Sequence, residues 1–134
     1  MPPQSNVCIP YQEPAGRFSV KGVTAAITGG RFIAPANLER LISDYSNNFQ
    51  VVTATAAGPA IGVAAHDISV GEVGTCLSNG FIVPVIADGA IAGGARVEVG
   101  TAGKAKTIGT GVAVGIAMSP AADGEVAEIK ITCG

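Results

Sequence analysis

The chain has 134 residues, a formal net charge of −2 and charged side chains at 13% of its positions, about half the share in typical soluble proteins. That length predicts one domain, large enough to bury a core without disulfides or a metal. Scattered lysines and arginines argue against nucleic acid as a direct partner, and Pro84 and Asp88 interrupt the most apolar region, residues 80–95, which excludes a membrane-spanning helix.

The apolar character of the chain predicts an oligomer or a subunit of a larger assembly. Apolar residues make up 48% of the sequence, whereas monomers rarely leave apolar patches larger than a few hundred Å² exposed. The N-terminus has no basic region followed by an apolar run, so we expect a protein that is made in the cytoplasm rather than secreted.

The first sixteen residues predict an extended arm, which precedes a single β domain at residues 17–134. Four prolines in this arm remove backbone donors and disfavour a helix. The middle of the arm is apolar, which a free solvated tail would not favour, so we expect it to pack on the domain's own core or on a neighbouring protein. The contact residues predicted here are Val7, Cys8, Ile9, Pro10 and Tyr11.

After the arm, residues 17–34 alternate apolar and polar side chains around glycines, which predicts strands and a turn. The next segment, NLERLISDYSNN at residues 37–48, is the one helical candidate. Asn37 can cap this helix, and four apolar residues fall on one face at helical spacing. These are Leu38, Leu41, Ile42 and Tyr45.

From Phe49 onward the sequence predicts strands only, and with them an all-β barrel or sandwich. Valine and isoleucine dominate, turn residues recur about every eight to twelve positions, and the 19 glycines suit tight turns and bulges. The predicted strands are QVVTAT, AIGVAA, EVGTCL, FIVPVI, ARVEV, AKTIG, AVGIAM and EVAEIKI.

One phrase occurs twice, as IGVAAHDISVGEV from Ile61 and as VGIAMSPAADGEV from Val114. An offset of 53 residues aligns Gly62 with Gly115 and aligns the two GEV triplets. The shared positions suit strand entry, close packing and a turn, whereas polar residues such as His66 are not repeated. The repeat therefore predicts a strand-turn-strand unit used twice, not a doubled active site.

The residues with catalytic potential form no convincing constellation. Glu72 and Glu125 would have to act as a carboxylate pair, but glutamates beside turns are usually exposed starts of strands. His66 precedes Asp67, and neighbouring residues of an extended segment point in opposite directions, so the aspartate is poorly placed to orient the histidine. We expect a protein without enzymatic activity.

The cysteines do not indicate a metal site. Cys8, Cys76 and Cys133 have no CxxC spacing, and the chain contains one histidine, so a zinc site would need nearly all of these residues. We expect free thiols that are buried or half-buried, and neither a metal nor a cofactor.

The stretch VGTAGKAKT places glycines before a lysine without matching a phosphate-binding loop. Glu98 stands where such a loop needs its first glycine, and Ala105 follows Lys104 in place of Ser or Thr. A hairpin with its turn at residues 100–103, and with Lys104 and Lys106 in solvent, explains the pattern better. One alternative stays open, a biotinyl or lipoyl carrier domain modified at Lys104, although the flanking Met or Asp and Ala of such domains are missing.

Five phrases of the sequence, in their order and spacing, carry a family resemblance. They are CIPYQEPAG, ITGGRFI, IGVAAHDISVGEV, VPVIADGAIAGGARVEVGTAGKAKTI and VGIAMSPAADGEVAEIKI, and together they extend from Cys8 to Ile131. In this arrangement they resemble the small capsid decoration proteins of tailed bacteriophages, particularly those of actinobacterial hosts.

The resemblance implies a β-barrel or β-tulip-like domain that forms trimers on the outside of an icosahedral head, near local threefold positions. It implies the major capsid protein as partner, a location on the virion, and no catalytic residue. Residues 37–48 depart from the family, because this segment is longer and more helical than the resemblance implies. We expect it to lie over the barrel or to touch the shell.

Overall fold

The computed structural model of the chain describes residues 17–36 and 49–133, in which the regular elements are ten β-strands and one short 3-10 turn. The predicted all-β class is confirmed, and no helix within this part of the chain is long and apolar enough to cross a membrane. The predicted arm and the predicted helix at residues 37–48 lie outside the described residues. The strands are β1 Arg17–Gly22, β2 Phe32–Pro35, β3 Phe49–Thr53, β4 Gly62–Ala64, β5 Val73–Leu77, β6 Ile82–Ile86, β7 Arg96–Val99, β8 Ala105–Thr107, β9 Gly115–Ala117 and β10 Val126–Ile131, with the 3-10 turn at Thr101–Gly103.

The strands form where apolar side chains alternate with polar or exposed ones. In β10, Ala127, Ile129 and Ile131 are buried, while Glu128 and Lys130 between them are exposed. This period of two is the one that a strand requires to bury one face and leave the other in water.

The first five strands close into a barrel in the order β1-β3-β2-β4-β5. Closure depends on β1, because both of its edges are paired. Val20 lies opposite Phe49 in the parallel pair with β3 and opposite Gly74 in the antiparallel pair with β5. A closed barrel leaves no free strand edge to which a strand of another chain could be added.

The last five strands form a second sheet in the order β6-β10-β9-β7-β8, which repeats the pairings of the first. The pairs β6–β10, β10–β9, β9–β7 and β7–β8 correspond to β1–β5, β5–β4, β4–β2 and β2–β3. The closing parallel contact also has a counterpart, since Ala87 bridges Ala105 as Gly22 pairs with Val51. We call β1 to β5 the first unit and β6 to β10 the second unit.

The register of the strands repeats together with their order. Ile33 lies opposite Gly62 in the first unit, and Val97 lies opposite Gly115 in the second. The phrase that recurs in the sequence is therefore the closing part of a duplication that includes all five strands of each unit.

The two units differ most in the connection between their second and third strands. Ile33 pairs with Thr53, and Val97 pairs with Thr107 at the equivalent place. The offset between equivalent residues falls from 64 (Ile33 to Val97) to 54 (Thr53 to Thr107), so the first unit has ten additional residues in this connection. Residues 37–48 lie within it.

The units share apolar core rather than folding around separate ones. Phe32 and Val63 of the first unit belong to the same buried cluster as Val97 and Ile129 of the second unit. A smaller cluster fills the first barrel and consists of Val20, Ile27, Ile33, Val51, Ala64, Ile68 and Cys76. Backbone bonds also join the units, since the Ala57 N–H donates to the Val99 carbonyl at 2.8 Å.

Glycines occupy equivalent special positions in the two units. Gly71 and Gly124, the first residues of the two GEV triplets, have φ values of +83° and +79° and open space around them. Gly62 and Gly115 start β4 and β9 where a side chain has no room, because a Cβ on Gly62 would meet the Leu77 carbonyl and the Cys76 sulfur. The repeated glycines thus permit a left-handed turn in one place and a close strand contact in the other.

We expect Gly62→Ala to destabilise the protein far more than Gly124→Ala. At Gly124 the alanine meets only the cost of the left-handed conformation, about 1–2 kcal/mol. At Gly62 the backbone is not left-handed, and the alanine must instead displace backbone and a buried sulfur, at about 3 kcal/mol or more. Urea unfolding of the two variants measures this difference. An equal loss of unfolding free energy in the two variants would show that β4 does not pack closely against β5 at Gly62.

Two cysteines lie in the core as free thiols, which confirms the expectation for Cys76 and Cys133, while Cys8 lies outside the described residues. Burial raises the pKa of Cys76 from 9.0 to about 12, with a further contribution from the charge of nearby Cys133. Burial likewise raises the pKa of Cys133 to about 11. Both groups are therefore held as unreactive thiols.

This arrangement predicts that stability falls as the pH rises from about 9 towards 12. The unfolded thiols ionise near pH 9 while the folded ones stay protonated, so the native state binds more protons in this window and is lost as alkali is added. For Cys76 the effect at pH 11 is about 3 kcal/mol. Urea unfolding at pH 8 and pH 11, in a Cys8→Ser background with and without Cys76→Ala, measures it. Parallel loss in both proteins would assign the alkaline instability to groups other than Cys76, such as Cys133, lysine and tyrosine.

Candidate functional site

The contact residues predicted in the arm, Val7, Cys8, Ile9, Pro10 and Tyr11, lie outside the described residues, and their contacts stay a prediction. The described chain begins at the start of β1, whose second residue, Phe18, is partly buried.

An apolar groove with a volume of about 270 Å³ lies where both undescribed stretches join the first unit. Phe18 follows the arm, and Ala36 and Phe49 flank residues 37–48. The lining is apolar apart from Gln50, whose Oε1 is buried without a hydrogen-bond partner among the described residues. The groove offers packing surface rather than the converging charged groups of a catalytic pocket.

The carboxylate of Asp67 does not orient the ring of His66. Asp67 Oδ1 accepts a hydrogen bond from the Gly29 N–H at 2.8 Å, while His66 Nδ1 lies 2.9 Å from the Asp67 backbone carbonyl. The aspartate therefore fixes the turn between β1 and β2. The sequence predicts an Asp67 carboxylate that is poorly placed to orient the His66 ring, and these contacts agree with that prediction.

Glu72 and Glu125 are exposed and occupy equivalent turns in different units, as the sequence predicted. Their backbones carry the structural role, because the Glu72 carbonyl accepts from Gly22 at 3.1 Å and the Glu125 carbonyl accepts from Ala87 at 2.8 Å. These bonds extend the β1–β5 pairing in the first unit and the β6–β10 pairing in the second. The side chains are dispensable for that role.

Lys104 follows a tight turn that a hydrogen bond to Asp88 stabilises. Asp88 Oδ2 accepts a hydrogen bond from the Thr101 N–H at 2.8 Å, and this bond, aided by the charges of Lys106 and Lys104, lowers the pKa of Asp88. The backbone of Lys104 is bonded in both directions, to Thr101 and to Gly100. The predicted hairpin between β7 and β8 is confirmed, with Lys106 exposed and Lys104 only partly so.

This hairpin packs against the first unit instead of projecting freely. Gly103 is buried, and a Cβ there would meet Thr53 and the Phe32 carbonyl. Arg31 Nη1 donates to the Ala102 carbonyl at 3.1 Å. A carrier domain needs its lysine on a tip that another protein can reach, so the geometry does not support the biotinyl or lipoyl hypothesis.

Glu98 is a buried charged side chain whose place in the interior was not expected from the sequence. It is 4% exposed, and its Oε1 accepts a hydrogen bond from the Gly109 N–H at 3.1 Å. A Cβ on Gly111 would strike its other oxygen and the backbone of Ala57. The carboxylate therefore holds the loop after β8 against β7. Within the described residues, no group of three or more potential metal ligands occurs at Glu98 or elsewhere.

Three of the large apolar side chains that are more than half exposed lie on the outer side of the second unit, on β6, on β10 and just after β9, while Val70 and Val73 of the first unit are exposed to the same degree. Ile82, Met118 and Val126 are 54%, 51% and 55% exposed. Direct strand pairs place Ile82 beside Lys130 and Val126 beside Ile86 on this side. We call this surface the outer β6–β10 face. The sequence did not predict this face, because the alternation within β6 and within β10 does not reveal which outward residues of the two strands become neighbours.

The comparisons with known proteins identify a family. The model of the phage cement protein family matches residues 17–132. The solved structure of the head fiber gp8.5 N base in bacteriophage phi29 is similar, with a TM-score of 0.68 and 18% sequence identity, over 87% of this chain and 92% of that one. At this identity the likeness establishes the fold. No curated protein matches the chain.

The family match includes every described strand, from the start of β1 to the end of β10. It confirms the resemblance to capsid decoration proteins found in the sequence, and the structural neighbour carries the same kind of β fold. The chain belongs to the phage cement protein family and is a structural, capsid-associated protein of the phage virion.

Proposed function

We propose that this protein binds the outer surface of a phage head, contacts the major capsid protein and stabilises the shell as a trimer. The observation that carries the proposal is the match to the cement protein family over residues 17–132. A low content of charge and the exposed outer β6–β10 face support a task that consists of contact. The role is structural, without catalysis, and synthesis takes place in the host cytoplasm.

Trimerisation would make weak individual contacts sufficient. Once one protomer of a symmetric trimer is bound, the other two are held near their own sites at a high effective concentration. The trimer can then connect neighbouring capsomers and oppose the outward pressure of packaged DNA. A monomer with the same contacts would exchange rapidly and would tie fewer shell subunits together.

The apolar stretch Val7 to Tyr11 is the second element of the proposal. We assign residues 1–16 to an arm attached to a β domain at residues 17–134, with the arm contacting the shell or a neighbouring copy. Proline restricts the freedom of this segment before binding, which lowers the entropy lost on ordering it. Phe18, which follows residues 1–16 in the sequence, lines the apolar groove of the first unit, and this exposed apolar lining supports the assignment.

Heads purified without this protein are expected to bind it at saturation in multiples of three and to resist heat better afterwards. Electron microscopy of the decorated heads would locate threefold density on the outer surface, and DNA release on heating would measure stabilisation. Heads that bind no protein, or that release DNA at the same temperature with and without it, would contradict the function.

Placing charge in the apolar stretch of the arm is expected to weaken binding to heads by at least about tenfold, which corresponds to about 1.4 kcal/mol. The test variant is Val7→Asp with Ile9→Asp. The matched control, Gln4→Asp with Asn6→Asp, adds the same charge at polar positions and is expected to bind normally. A binding titration on undecorated heads measures both, and equal affinities would remove the arm from the contact.

A further inference from the structure

The duplication allows the outer faces of the two units to be compared position by position. On β1 the outward residues pair with β5 as Arg17 with Leu77, Ser19 with Thr75 and Lys21 with Val73. On β6 the equivalent pairs with β10 are Ile82 with Lys130, Pro84 with Glu128 and Ile86 with Val126. The same scaffold therefore carries an Arg-Ser-Lys strand in one unit and an Ile-Pro-Ile strand in the other.

This difference is not required by the fold. The first unit forms the same strand pairs with polar outward residues on β1, so the barrel does not need apolar side chains at those positions. Ile82 and Val126 nevertheless stay more than half exposed. The first unit also exposes a valine, Val73, but pairs it with Lys21, whereas Val126 is paired with Ile86. Apolar residues on both strands of the pair make a larger patch, which is favourable to bury against another surface.

Apolar residues continue across the neighbouring strand. Ile116 of β9 lies opposite Lys130, and the Met118 N–H donates to the Glu128 carbonyl at 2.8 Å. Arg96 of β7, opposite Ile116, marks the margin of the surface. The outer β6–β10 face thus carries apolar residues on β6, on and just after β9, and at the start of β10, with one acidic and one basic residue, Glu128 and Lys130, between them on β10.

The charges on this face indicate which partner it fits. Glu128 and Lys130 have opposite signs and stand two residues apart on β10, about 7 Å along the strand. A chain that carries both signs side by side fits a ring of its own copies, because it can give its carboxylate to one neighbour and its ammonium to the other. Covering either charge without a partner would oppose association.

We infer that the outer β6–β10 face is the surface by which copies of this chain meet, with Glu128 of each copy paired to Lys130 of its neighbour around the trimer axis. The inference rests on the trimer of the proposed function and assigns its interface. The polar outer face of the first unit is then free of copy-to-copy contact.

Equivalent substitutions in the two units test the location of the interface. Val126→Asp and Val73→Asp change residues that hold the same place in the repeat and that are 55% and 51% exposed. Sedimentation velocity over a concentration series is expected to show dissociation for Val126→Asp, with at least about a tenfold weaker association, and a wild-type trimer for Val73→Asp. Circular dichroism of both variants checks that each is folded.

A charge exchange tests whether the partner is a second copy. Glu128→Lys and Lys130→Glu are each expected to weaken association, and the double variant is expected to restore it, because the exchanged charges again face each other across copies. Restoration of association in the free protein is a result that a merely structural effect of either residue would not produce.

The outcomes separate the inference from the function beneath it. A trimer that survives Val126→Asp and both single charge variants overturns the inference and leaves the trimer standing. Normal trimers that no longer bind heads would assign this face to the shell and also overturn it. Wild-type protein that is monomeric in solution and on heads removes the proposed trimer, and the inference with it.

Discussion

Closure of the first barrel through β1 is the constraint on which the rest of the molecule depends. β1 is parallel to β3 on one edge and antiparallel to β5 on the other, so its backbone donors and acceptors are used on both sides. A parallel pair requires a long crossover, and the chain between Gly22 and Phe49 supplies one. With the edges of this barrel paired, the surfaces it offers to other molecules are side-chain faces, which suits a protein whose task is contact.

The second unit has less pairing between the two strands that would close its barrel, so more of the β6 edge is left unpaired. Its β6 and β8 meet through the single bridge of Ala87 and Ala105, and Pro84 on β6 has no amide to donate to a foreign strand. The Gly103 turn and the Ala57 backbone bond hold this unit to the first, so the molecule presents both outer faces in a fixed relation. One face is polar along β1 and the other is apolar along β6, which gives a duplicated fold two different surfaces.

The sequence predicted the strands and turns well, because these depend on neighbours along the chain. Each strand predicted after Phe49 has a counterpart in β3 to β10, and the repeated GEV triplets lie at equivalent turns. The duplication was recognised only in its last part, since the earlier strands share pairing but few identical residues. Glu98 and the outer β6–β10 face were missed, because their burial or exposure depends on the loop after β8 and on strands that lie far apart in the sequence.

The sequence by itself determined the all-β class, the glycine turns and the family, because period-two alternation, turn chemistry and the order of phrases are properties of the linear chain. Only the tertiary structure decided that the two halves are equivalent units, that the Lys104 hairpin is packed against the first unit, and that Ile82, Val126, Glu128 and Lys130 share one surface. These facts depend on the register between strands distant in the chain, and a shift of one residue would turn every side chain of a strand to the opposite face.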